Sequence, residues 1–133
     1  MKLTLTRLAV LLPMLLFVIP TAFAGSDHHH GNSHAIQNMA KIMSHLNHYP
    51  SDSEKDKLRK IAGDSASSAH ERTIANAMIN LEHHVSSADR QKLRQIVEDD
   101  HASDSERNLA EIVMNLNHKP SRGDKEKLMM MMK

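Results

Sequence analysis

Apolar residues recur along the chain at i, i+3, i+4 and i+7. Met39, Ile42, Met43 and Leu46 form one such set, Ile74, Ala77, Met78 and Leu81 a second, and Leu109, Ile112, Val113 and Leu116 a third. Each set lies on one face of a 3.6-residue helix, so each predicts an amphipathic helix ending near its last leucine. A further apolar group follows each stripe: Leu58, Ile61 and Ala62, then Leu93, Ile96 and Val97, then Leu128, Met131 and Met132. These predict a second, shorter helix after each first one.

The polar residues between the stripes supply the start signals. Ser51-x-x-Glu54, Ser86-x-x-Asp89 and Ser121-x-x-Asp124 stand where the second helices begin. Ser68-x-x-Glu71 and Ser103-x-x-Glu106 do the same for two of the first helices. A serine at the N-cap accepts from the N3 amide, and an acidic residue at N3 reaches back to the cap and favours the positive helix end. A glutamate completes this box more readily than an aspartate, so Glu54 is the expected full capping box among the second helices. Pro50 and Pro120 mark breaks between the helices of a pair.

The stripes and the serine start signals repeat at an offset of 35 residues, as do His48, His83 and His118. A fixed period of this length signals stacked supersecondary units. The expected fold class is all-α, with three tandem 35-residue helical-hairpin repeats forming a small curved array or a compact bundle. The units run over about 35–68, 69–103 and 104–133. The period and the missing aromatic and glycine landmarks exclude the 34-residue tetratricopeptide pattern.

The first 24 residues follow a different rule. Lys2 and Arg7 precede a short apolar run from Leu8 to Ile19, and Thr21-Ala22-Phe23-Ala24 offers small residues for cleavage. This reads as a signal peptide rather than a membrane anchor, because the run is too short to span ~30 Å of hydrocarbon. A periplasmic or secreted product, without stable membrane insertion after cleavage, is expected. Residues 25–34 are polar and aperiodic and read as a flexible His-rich tail.

Removing the leader changes the charge. Of 17 Lys and Arg, Lys2 and Arg7 leave with it, so 15 remain against 16 Asp and Glu. A formal charge of −1, with Tyr49 as the only remaining aromatic residue, lacks both the basic face and the stacking platforms of a nucleic-acid binder. The chain has no cysteine, so no disulfide can staple it.

Eleven histidines are the unusual feature of the composition. His28, His29, His30 and His34 in the tail are candidate ligands for Zn, Cu or Ni, since imidazole suits all three. His45 and His48 are a second candidate pair, placed three residues apart on one predicted helix. His48, His83 and His118 recur once per unit. In a linear stack, neighbouring helices lie ~8–10 Å apart, which separates equivalent histidines too far to share an ion. They are therefore expected to meet free carbonyls at helix C-termini.

Methionines crowd the end of the chain. Met129 and Met130 stand where the earlier units have Arg59-Lys60 and Arg94-Gln95. Residues Leu128, Met129, Met130, Met131 and Met132 are the candidate interaction surface, since adaptable Met surfaces suit partner contacts. No H-E-x-x-H, phosphate loop, nucleophile elbow or thiol is present. The sequence thus points to a non-enzymatic exported helical-repeat protein acting through contacts with an exported or periplasmic protein or with itself. The alternative is a periplasmic metal-binding or metal-buffering protein that uses the tail.

Overall fold

A computed structural model of the chain describes residues 32–133. The leader over 1–24, and the tail residues up to 31 with His28, His29 and His30, lie outside the described residues. The described chain is all-helical, with six helices: α1 (His34–His45), α2 (Asp52–Gly63), α3 (Ala69–Ile79), α4 (Ser87–Glu98), α5 (Asp104–Met114) and α6 (Arg122–Met131). Among these residues no helix is long and apolar enough to cross a membrane.

Every helix begins on a serine. Ser33, Ser51, Ser68, Ser86, Ser103 and Ser121 are the N-caps of α1 to α6, each accepting from the amide three residues on. Ser33 carries no start signal in the sequence, because the residue three on is Ile36 and not an acid. It nevertheless caps α1, so His34 is the first residue of a helix and not part of a tail. Asp124 completes a full box with Ser121, as Glu54 does with Ser51. Asp89 does not; its Oδ2 accepts from Ser86 Oγ at 2.9 Å and from Asn80 Nδ2 at 3.2 Å. The second helices are not shorter than the first throughout: α2 and α4 have 12 residues each, as does α1.

The packing divides the helices into two classes. α1, α3 and α5 all touch one another at the centre. Each carries buried residues along its stripe, such as Met39 and Met43, Ile74 and Met78, or Leu109 and Val113, all 0% exposed. α2, α4 and α6 lie outside, each wedged between two inner helices. The closest pairings are α2 with α3, α4 with α5, and α6 with α1. The contact between α1 and α2, which follow one another in the chain, is slight. A hairpin of consecutive first and second helices is therefore not the tightest pairing. The last helix also does not end in open solvent, because it seats on the first.

One apolar core results. Leu58, Leu93 and Leu128 project into it from the outer helices, and all three are fully buried. Leu81 and Leu116, just beyond the last turns of α3 and α5, close it from one end at 1% and 5% exposure. Truncating a fully enclosed leucine loses transfer free energy and leaves a cavity. Leu81→Ala is therefore expected to destabilise the chain by ~2–5 kcal/mol. Its exposed neighbour Glu82, changed to Ala, should stay within ~0.5 kcal/mol of the parent. Urea unfolding followed by circular dichroism measures both, and similar midpoints for the two variants would contradict this placement of the core.

Candidate functional site

The three inner helices run the same way, and the links between their N-termini show it. Ser33 Oγ at the start of α1 donates to Glu71 Oε1 in the first turn of α3. Ser68 Oγ at the start of α3 donates to Glu106 Oε1 in the first turn of α5. The third link is different. Ile36 stands where a matching glutamate would be, and Ser105 Oγ instead donates to Asn32 Oδ1. Three helix N-termini thus gather at one pole, each with a partial positive charge. Glu71 and Glu106, only 6% and 7% exposed, place carboxylates among them.

The chain leaves α1, α3 and α5 at the opposite pole, and there the loops bring three histidines together. Ring centroids of His48 and His83 are 5.8 Å apart, those of His48 and His118 5.7 Å, and those of His83 and His118 5.4 Å. This overturns the expectation that the three stay apart. The 8–10 Å spacing holds for helices stacked in a row, whereas helices closed about an axis direct equivalent loops inward. The capping role is also corrected. The C-cap of α1 is Leu46, whose N–H bonds to the Met43 carbonyl, and His48 lies beyond it. His48 Nδ1 faces the Asn47 carbonyl, and His118 Nδ1 lies 2.7 Å from Asn117 Oδ1.

The backbone here is specialised. His48 and His118 have φ of 121° and 64°, the non-glycine residues with positive φ among those described. Such a conformation costs on the order of 1 kcal/mol for a residue with a Cβ. The His118 N–H donates to the His83 carbonyl at 3.1 Å, tying two of the three loops directly. All three rings remain exposed to solvent.

The other candidate residues are placed as follows. His45 ends α1 with Nδ1 at 2.9 Å from the Lys41 carbonyl, while His48 is off the helix. The two do not share a helix face, which removes the pairing expected of them. His34 is exposed at the opposite end of α1. Leu128 and Met131 are buried at 0% and 4%, and Met132 is half-buried. An interaction surface at the end of the chain therefore narrows to Met129 and Met130, which are 51% and 68% exposed. As the side chains are oriented, no three His, Asp or Glu donors among the described residues converge on one point.

Sequence spacing alone missed a second polar cluster. His70 Nε2 lies 3.1 Å from Asp99 Oδ2, and its Nδ1 lies 3.6 Å from Glu106 Oε2. It bridges the start of α3, the end of α4 and the start of α5. Burial pushes the Glu106 carboxyl up, but hydrogen bonds from Ser68 and from the Ser103 amide and hydroxyl, with the His70 imidazole nearby, outweigh it and hold the group below its usual range. Asp99 is likewise held low, first by the His101 backbone N–H at 2.8 Å and then by the His101 ring.

No protein-family model, curated protein or solved structure matches the chain.

Because the Glu106 pKa is lower in the folded than in the unfolded chain, its stabilising contribution is present above the unfolded value near 4.5 and lost as pH falls through the folded value. Glu106→Gln should cost about 1.5–3 kcal/mol at neutral pH, as expected for lost hydrogen bonds to a charged group. The gap between variant and parent should shrink as pH falls below the unfolded value near 4.5. Denaturant titrations at pH 7, 5 and 3 test this, and a gap that does not change with pH would contradict it.

Proposed function

We propose that the chain is a non-enzymatic exported protein built of three tandem 35-residue helical units, and that it acts through protein contacts. What supports this reading is one surface feature. Met129 and Met130 stand on the outer face of α6, exposed, where α2 and α4 carry Arg59-Lys60 and Arg94-Gln95. The opposite face of α6 is already seated on α1, which leaves these two side chains 51% and 68% exposed.

The occupant that fits is a second copy of the same chain. An apolar pair lies on both partners of a two-fold interface and needs no charge matching across it. Burying a Met side chain contributes about 1.5–3 kcal/mol, while association costs at least ~4 kcal/mol in lost freedom. Two methionines from each partner therefore support a weak, concentration-dependent dimer. A second reading, an exported metal-binding or metal-buffering protein, draws support from the meeting of His48, His83 and His118 and from the histidines of the tail.

Sedimentation equilibrium over a range of concentrations tests the contact reading. The parent chain should self-associate, and Met129→Arg with Met130→Lys, which restores the residues of α2, should be monomeric with unchanged helicity. A double variant that associates like the parent would refute the surface. So would a parent that stays monomeric and crosslinks to nothing in its native compartment.

A further inference from the structure

The three imidazoles at the loop pole form a triangle whose dimensions are informative. When three imidazoles bind one ion at ~2.0–2.1 Å, their ring centres stand about 5–5.5 Å apart. The observed separations are 5.4, 5.7 and 5.8 Å. We propose that His48, His83 and His118 form a three-histidine site for a first-row divalent metal ion, with Zn(II) the probe ion. This inference rests on the metal-binding reading, and it moves the site from the tail to the helical body.

Three further features of the pole favour a cation there. The C-terminal ends of α1, α3 and α5 face it, each with a partial negative charge, and Glu82 adds a full negative charge beside His83. Lys119, next to His118, works against them but is one exposed ammonium group. The backbone supplies the second feature. His48 and His118 occupy left-handed conformations that glycine or asparagine would adopt more easily, and both place an imidazole beside the same neighbour, His83. The third is the exposure of the rings themselves. The donors do not yet converge, because His48 Nδ1 and His118 Nδ1 lie against Asn47 and Asn117. All three side chains are exposed, so rotation about their χ angles, without backbone movement, turns a nitrogen of each inward.

The chemistry follows from the donor set. Three neutral imidazoles suit Zn, Cu and Ni and leave charge neutralisation to the ion's remaining ligands. With the loops on one side of the triangle and solvent on the other, a fourth position stays open to water or to a donor from outside the chain. Such a site holds an ion exchangeably and differs from a closed structural one.

The test uses the full chain carrying His28→Ala, His29→Ala and His30→Ala, which removes these competing imidazoles. Calorimetric titration with Zn(II) should give one ion per chain. Adding His83→Ala or His118→Ala should weaken binding by more than about tenfold, since even outer-shell losses cost that much. His101→Ala, with a side chain 95% exposed in another part of the molecule, should change nothing. Nitrogen-15 spectra of the imidazole rings give a readout that does not depend on any helical-body variant: Zn(II) should shift the ring signals of His48, His83 and His118 and leave His101 in place. Binding in the tail-substituted chain that is insensitive to His83→Ala and His118→Ala would overturn the site. Binding by the parent that vanishes with the tail substitutions would overturn it while leaving a metal-binding tail. A parent that binds no Zn(II) would overturn both the site and the reading beneath it.

Discussion

Both poles of the molecule depend on closure of the helices about an axis, which the seating of α6 against α1 completes. Leu128 and Met131 enter the core on that side, as Leu58 does from α2 and Leu93 from α4. In an open row of helices the loops following α1 and α5 would lie at the two ends. In the closed arrangement α1, α3 and α5 enclose a common axis, and what each helix presents at its ends is presented to the other two. The apolar residues that make the contact are a small share of the core, yet they decide which side chains meet.

Bringing three helices together in parallel has an electrostatic cost, and the two poles meet it differently. At the N-terminal pole, adjacent positive helix ends are offset by Glu71 and Glu106, which are themselves held by serine hydroxyls and backbone amides. Burial of a carboxylate is tolerable only with such partners, and among the described residues no buried side-chain nitrogen or oxygen lacks one. The helix α1 breaks this scheme, because Ile36 replaces the acid and Asn32 takes over the link. At the other pole the negative ends face exposed loops, and among the described residues no cationic side chain is buried there. The histidines occupy that place.

The two polar clusters also differ in how tightly they are fixed. At the pole with Glu106 the carboxylates of Glu71 and Glu106 are buried and the cluster is hydrogen-bonded across three helices, so its geometry is held by those bonds. The histidine pole is held at the backbone, through the bond from His118 to the His83 carbonyl, while its rings are exposed to solvent.

Much of this fold was legible residue by residue. The stripes at Met39–Leu46, Ile74–Leu81 and Leu109–Leu116 are all buried, because helical periodicity and the hydrophobic effect are local rules that a linear chain displays. The serine caps of α2 to α6 were equally visible, since a cap involves residues only three apart. Ser33 was not, for lack of an acid at position 36. Which helices pair was decided only in three dimensions: α2 packs more tightly on α3 than on α1, and α6 on α1, because the relative angle of two helices is set by side-chain packing over the whole core. The placement of the methionines, by contrast, follows the sequence register: Met131 aligns with the buried-stripe positions and is buried, while Met129 and Met130 align with Arg59-Lys60 and Arg94-Gln95 and are exposed. The packing of the helices also brought His48, His83 and His118 to within 6 Å of one another, although 35 residues of sequence separate each from the next. The spacing determined that the three histidines are equivalent in the chain. Only closure of the helices about an axis determined that they meet.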